Sequence, residues 1–273
     1  MISGGWRYAA ASVIGTSHTK QGTNCQDAND CQIYQLPTSE TVLVGVVSDG
    51  AGSARFGGEG AALCCSTLQD LVCGHVGNGN AVEQISSTTA GFWLNAIRRK
   101  LEAAAESESH VLREYACTLL AAIIGEHCAA FVQIGDGVMV VADSEEPHYG
   151  HIFWPDRGEY ENTTHFVTEE RACDHLQFDL VQRHILELAM LSDGLQRLAL
   201  HYRSQTAYQP FFGALFDPIR KAAPGRAEDV SISLNQFLLS DRVNQKTDDD
   251  KTLVLATRPP RRLLPGSVQL EHS

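Results

Sequence analysis

Along the first third of the chain, apolar positions fall into short dense runs and then into helical spacing. Residues 6–15 (WRYAAASVIG) read as an opening strand. A polar loop spans 16–30, followed by a short strand near 31–36 and a longer apolar run at 41–48, which pair as neighbours. Two helices are predicted next. The first is the alanine-rich stretch 60–72. The second is 82–107, with Ile85, Phe92, Ile97 and Leu101 forming its apolar stripe.

The middle of the chain returns to strands. Residues 116–144 split into three apolar runs at Gly125-Glu126-His127 and Gly135-Asp136-Gly137, the second break having hairpin chemistry. The irregular stretch 145–177 is too long for a passive connector, so it is expected to carry function or cap a site. Trp154 and Tyr160 within it read as packing residues, and His127 reads as a structural turn residue. A strand at 185–192, helices at 207–222 and 227–240 and a last strand at 252–257 complete the pattern. With no internal repeat and no Pro/Ser linker, residues 1–257 read as a single domain. The proline-bearing tail 258–273 reads as unstructured.

Composition narrows the function classes. The 273 residues carry 21 Lys plus Arg against 33 Asp plus Glu, for a formal net charge of −12. That balance argues against nucleic acid or an anionic membrane as partner, and suits an acidic cleft that concentrates cations. The eight cysteines form no CxxC pair, and several sit inside apolar segments, as expected of small buried hydrophobes in a reducing cytosol. The N-terminal residues lack a signal-peptide pattern and no run approaches the ~20 apolar residues of a membrane helix. The expected location is cytoplasmic.

The candidate chemistry lies where the strands stop. Asp49, Asp136 and Asp193 each follow an apolar run and adjoin a glycine, the triplet Asp248-Asp249-Asp250 abuts the last strand, and Asp27 precedes the second. One Asp-Gly after a strand is usually a turn. Three such strands plus an acidic triplet favour convergence of carboxylates on one sheet edge over independent turns. Like charges so placed need a counterion. Carboxylate oxygens without His or Cys at ligand spacing point to Mg²⁺ or Mn²⁺ rather than zinc, and two such ions about 3.5–4 Å apart clamp a phosphoryl group. Asp248 and Asp250 read as solvated neighbours of Asp249.

The ordered set Gln26-Asp27-Ala28, Ser48-Asp49-Gly50-Ala51-Gly52-Ser53, Gly60-Ala61-Ala62, Cys117-Thr118-Leu119, Ile134-Gly135-Asp136, Leu191-Ser192-Asp193-Gly194 and Asp249-Asp250-Lys251-Thr252 resembles the metal-dependent type 2C serine/threonine protein phosphatases, across residues 5–257. Residues 155–168 look like a bacterial branch of that family. The resemblance implies an α+β fold, a four-layer α/β/β/α sandwich of two antiparallel sheets flanked by helices, with the metal site in the cleft between sheet ends. It implies hydrolysis of phosphoserine and phosphothreonine on a protein partner by a metal-activated water, in signalling opposite a Ser/Thr kinase.

Carried over by position, the resemblance makes Asp49 the ligand bridging two Mn²⁺ or Mg²⁺ ions, with the Gly50 carbonyl reaching one of them. Asp193 and Asp249 complete the first ion, Asp136 and Asp193 hold a weaker third, and Asp27 orients waters. Asp49, Asp193 and Asp249 are thereby the catalytic set. Many relatives carry Glu-Asp where this chain has Gln26-Asp27, which weakens the second ion. The phosphate-gripping arginine of relatives is Gly22 here, leaving Arg55, His18 and Lys20 as substrate-binding candidates. The histidine of some relatives is Ala51 here, which makes His18 a candidate proton donor. These departures motivate an alternative, a pseudophosphatase that binds phosphoproteins without turnover. Another is a hydrolase of small phosphorylated metabolites.

Overall fold

The computed structural model describes residues 5–36, 40–144, 146–155 and 164–260. Two sheets form its centre. One has five strands in the order β2 (Asp27–Gln35), β3 (Thr41–Asp49), β4 (Leu119–Ile124), β5 (Ala129–Ile134) and β8 (Gln177–Val181), all antiparallel. The other runs β12 (Gly225–Arg226), β1 (Arg7–Val13), β13 (Lys251–Thr257), β9 (Glu187–Leu191), β6 (Val138–Ala142) and β7 (Gly150–His151), antiparallel except for the short β1–β12 pairing. A two-residue hairpin, β10 (Leu200–His201) with β11 (Thr206–Ala207), stands apart.

Three apolar layers follow from the period-2 geometry of the strands. Leu43, Val47, Leu120, Phe131, Met139 and Met190 share a core between the sheets. On the outer side of the five-stranded sheet, Val42, Val44 and Val46 pack against α2 (Gly57–Gly77) and α3 (Ser87–Ser107). On the outer side of the other, Ala189 and Leu253 pack against α5 (Gln209–Arg220) and α6 (Glu228–Leu238). The short helices α1 (Thr16–Gln21), α4 (Gln196–Ala199) and α7 (Asp241–Asn244) complete the fold. This is the expected α/β/β/α sandwich. β3 reads as an unbroken apolar run because it is covered on both faces. Each fully buried Val or Leu there contributes about 1.5–3 kcal/mol, making β3 a stiff mount for whatever follows it.

Several local expectations change. The second helix starts at Ser87, not residue 82: a 3₁₀ turn at Val82–Gln84 precedes it, and the Ser86 Oγ accepts from Thr89 N as its N-cap. Its buried stripe is Ala90, Trp93, Leu94, Ile97, Leu101 and Ala105, whereas Phe92 is 68% exposed. α1 lies inside the stretch expected to be loop. It buries no residue and its Gly15 N-cap offers no side chain, so no apolar stripe or cap betrays it. The irregular stretch ends in an edge strand, β8, with Trp154 packed edge-on against His151 and Tyr202 as expected; Tyr160 lies outside the described residues. Arg258, expected to open the tail, is buried: its N–H donates to Leu186 O, its Nε to Ile185 O at 2.7 Å, and its guanidinium lies 4.6 Å from the Trp6 ring centroid. Residues 261–273 of that tail lie outside the described residues. Cys31, Cys64, Cys65, Cys117 and Cys128 are buried free thiols, while Cys73 and Cys173 are exposed. Among the described residues no helix is long and apolar enough to cross a membrane.

Candidate active site

The two sheets present the same end of several strands to one cleft. Asp27 opens β2 and Asp49 closes β3, and the two are direct partners in the ladder. On the other sheet β9 ends at Leu191, so Asp193 opens the 3₁₀ turn Asp193–Leu195, and Asp249 immediately precedes the buried Asp250-Lys251 start of β13. Asp136 occupies the turn between β5 and β6, where Gly135 takes φ +103°. Beyond Asp49 the chain stays tied down: Thr118 donates its N–H to Asp49 O and its Oγ1 accepts from Asp49 N, while Gly50 N donates to Gln26 O. Gly50 bridges Cys117, and a Cβ on it would lie 2.3 Å from the carbonyl carbon of Gly57. Glycine is required there by the close approach of the start of α2.

The electrostatics are those of crowded acids. Burial raises Asp49 well above the ordinary carboxylate range, and Asp27, Asp193 and Asp249 push it further. Asp193 is raised to about 7 by burial and by Asp136 and Asp249. Asp27 is raised to about 6, chiefly by burial, against hydrogen bonds from Ser192 and Thr252 that favour its charged form. Asp249, more open to solvent, is raised by partial desolvation and by Asp250. Asp49 and Asp193 stand close enough for the charge of Asp193 to raise the pKa of Asp49, the mark of like charges crowded into one site. All five acids singled out from the sequence therefore converge, Asp136 joining through its charge on Asp193.

Asp250 is not solvated as expected. It is 2% exposed and accepts from Gly15 N at 2.6 Å and from Gln26 N, and its Oδ2 is 2.8 Å from His18 Nδ1. It thereby fastens α1 and the start of β2 to β13, across the two sheets. Four further residues were given no role by the sequence reasoning, three of them inside segments it quoted. Ser192 Oγ donates to Asp27 Oδ2 at 2.7 Å and accepts from Thr252 N. Thr164 Oγ1 donates to Asp136 Oδ2 at 2.9 Å. Lys251 is fully buried beside Asp249 and Asp250, its pKa lowered by burial, yet its Nζ donates to Asn244 Oδ1. One buried ammonium leaves most of the carboxylate charge unanswered. Arg113 is the fourth.

Three buried side-chain oxygens in this cleft have no hydrogen-bond partner among the described residues: Asp27 Oδ1, Asp193 Oδ1 and Gln26 Oε1. Buried polar atoms are otherwise almost always paired. An all-oxygen donor set with unpaired lone pairs amid excess negative charge fits hard divalent cations. Gln26 is turned the right way for this, because its Nε2 donates to Ala54 O and leaves Oε1 free.

Beside the acids, Ala51, Ser53, Arg55, Arg113, Phe166 and Glu169 line a cavity of about 440 Å³. Arg55 is exposed, its guanidinium 5.1 Å from the Phe56 ring centroid. Arg113, far away in sequence, comes to the same cavity because the turn Leu112–Tyr115 packs on α2. No motif marked it. His18 is half-buried on Asp250, and Lys20, on the same short helix, is exposed.

The protein phosphatase 2C family profile matches residues 14–238. Serine/threonine-protein phosphatase 3 of Escherichia coli (strain K12) is 36% identical over 255 residues, covering 92% of this chain and 98% of that protein. The chain belongs to the protein phosphatase 2C family. Its fold is likewise that of the family's solved members. The catalytic domain of the serine/threonine phosphatase PstP in complex with two manganese ions superposes with a TM-score of 0.58 at 16% identity, over 94% of this chain and 99% of that one. Stp1 from Staphylococcus aureus gives 0.54 at 18%, over 93% and 95%. The match to the phosphatase 2C profile spans Asp27, Asp49, Asp136 and Asp193 and stops before Asp249, whose place in the cluster rests on the structure.

Proposed function

We propose that this chain hydrolyses phosphoserine and phosphothreonine esters of a protein partner with Mn²⁺ or Mg²⁺ bound in the acidic cleft. The observation that carries this is the trio of partnerless buried oxygens on Asp27, Asp193 and Gln26 inside a cluster of raised carboxyl groups. Asp49, with the Gly50 carbonyl, Asp193 and Asp249 are the residues that would hold the principal ions, and Asp136 with Asp193 a weaker one. Bound there, the ions supply Lewis-acid activation of water and neutralisation of phosphoryl charge. The chain's own contribution is positioning. Ser192 fixes Asp27 so that Oδ1 can accept a proton or a hydrogen bond in the cleft. Arg55 and Arg113 flank the adjoining cavity and suit an anionic phosphopeptide. His18 lies on α1 against Asp250, and Lys20 lies on the same short helix.

We also assign a single catalytic domain, a Ser/Thr kinase as the opposing enzyme, and a cytoplasmic location; the buried free thiols support the last of these. The test is hydrolysis of a phosphothreonine peptide with Mn²⁺. EDTA should abolish it, Mn²⁺ should restore it, and Asp49→Asn should remain inactive. Equal turnover in EDTA and Mn²⁺ would overturn the proposal. A folded, Mn²⁺-binding protein that never turns over would favour the pseudophosphatase.

A further inference from the structure

A second cluster of ligand-type side chains lies outside the acidic cleft. His165, Glu169 and His175 each bring one ligand atom to within 4.8 Å of the other two. Their chemistry differs from that of the cleft, since two imidazoles and one carboxylate replace an all-oxygen set. The two imidazole rings are stacked, with centroids 3.4 Å apart and planes 9° from parallel. Glu169 Oε2 is 3.1 Å from His165 Nδ1, and Glu169 Oε1 accepts from Phe166 N at 3.0 Å.

We propose that His165, Glu169 and His175 form a separate metal site for a borderline divalent transition ion of the Zn²⁺ class. Two histidines and a carboxylate match that ion's preferred donors and leave a fourth position for water. Tetrahedral ligands at about 2.0–2.1 Å from Zn²⁺ stand about 3.4 Å from one another. Closing the cluster therefore takes a shift of an ångström or so and a tilt of one ring out of the stack. His175 is exposed at the end of the turn Ala172–His175 and is free to supply both.

The other two ligands are already fixed. Arg98 on α3 donates to Thr168 O at 3.2 Å and to Glu170 O, holding the main chain on both sides of Glu169. Val167 N donates to Cys117 O at 2.8 Å, tying the segment to the strand ends beside Gly50. Such outer contacts are what keep first ligands in place in metal sites.

The position gives the site a consequence. Thr164, next to His165, bonds Asp136, while Phe166 and Glu169 line the Arg55–Arg113 cavity. An ion here locks the rim of that cavity and alters how a phosphopeptide seats. This effect rests on the proposed phosphatase activity; the metal site itself does not.

The experiment is a calorimetric Zn²⁺ titration of the full chain in saturating Mg²⁺, repeated with Asp49→Asn and with His175→Ala. Wild type and Asp49→Asn should each bind one Zn²⁺ equivalent that Mg²⁺ does not displace. His175→Ala should weaken that equivalent by about 100-fold or more, since loss of an outer partner alone costs 10–100-fold. Co²⁺ substituted at the site should show tetrahedral visible bands that His175→Ala removes. Because His175 is exposed, the variant should keep the wild-type melting curve. A His175→Ala protein with that melting curve and unchanged Zn²⁺ binding would overturn the site, as would absence of the Mg²⁺-resistant equivalent in wild type. Neither result bears on whether Mn²⁺ supports hydrolysis in the acidic cleft.

Discussion

Asp27 and Asp49 stand directly opposite each other on β2 and β3, so the ladder that builds the five-stranded sheet also sets two carboxyl groups side by side. Like charges in that position destabilise a sheet, and Asp193 and Asp249 add to the load on Asp49. Asp49→Asn relieves the repulsion while removing the group shared by the proposed ions. Hydrolysis of an aryl phosphate in Mn²⁺ is expected to fall by roughly 10³-fold or more, the several kcal/mol that Lewis-acid charge stabilisation supplies. The melting temperature in EDTA should rise above wild type. A variant that loses activity because it unfolds would show the reverse.

The raised carboxyl groups also set a pH dependence. Asp27 at about 6 and Asp193 at about 7 in the folded chain compare with an ordinary value of 3.8. Between about pH 4 and pH 7 the folded protein therefore holds protons that the unfolded chain has released. Stability then falls as pH rises, by about 1.4 kcal/mol per pH unit for each group in its window. The contribution is complete below the unfolded value and lost through the folded one. Urea midpoints in EDTA should be lower at pH 8 than at pH 5, and Mn²⁺ should flatten the difference. A midpoint rising over that range in EDTA would contradict the assignment.

The strands and the convergence of the five acids were legible because period-2 burial and abrupt Asp-Gly stops are local signals. β3 and Asp49 illustrate this: an apolar run covered on both faces can only end where solvent or a ligand begins. What stayed hidden depends on contacts distant in sequence. Asp250 looks like any acid in an Asp triplet until Gly15, His18 and Gln26 are folded onto it. Arg113 carries no motif and reaches the cavity only through the packing of α2. Phe92 misled for the opposite reason, since it is apolar at nearly helical spacing yet points to solvent.

Gln26 offers a neutral oxygen where a charged one would add attraction. Its Oε1 is buried without a partner among the described residues, and Nε2 is held by Ala54 O at 3.2 Å. Gln26→Glu keeps the shape and adds a charge. Mn²⁺ affinity of the weaker principal ion is expected to rise about tenfold, equivalent to about 1.4 kcal/mol. Calorimetric titration of Mn²⁺ checks this directly. The melting temperature in EDTA should drop, because a further acid joins the cluster.

Arg55 and Arg113 face the same cavity from separate elements, which suits two-sided capture of a phosphopeptide. Both are exposed, so their truncation should leave the fold intact. Arg113→Ala is expected to raise KM for a phosphothreonine peptide about tenfold, in keeping with loss of a charge-assisted hydrogen bond. The rate constant at saturation should change little, and Mn²⁺ binding should not change. A fall in kcat with unaltered KM would place Arg113 outside substrate binding.

Asp250 supplies the sharpest stability test, because its carboxylate holds together elements from both sheets. Gly15 N and Gln26 N donate to it, and the His18 ring completes the set. Asp250→Ala leaves buried N–H groups without an acceptor, an arrangement that costs far more than a lost surface contact. The expected destabilisation is about 3 kcal/mol, read from urea unfolding in Mn²⁺. His18→Ala removes only one of the three contacts and should cost about 1 kcal/mol. Because Asp250 N also donates to Asp249 Oδ1 at 2.9 Å, the Asp250→Ala variant should bind Mn²⁺ more weakly while retaining Asp249. Equal stability of the two variants would mean that Asp250 is solvated in solution and that α1 is fastened by other contacts.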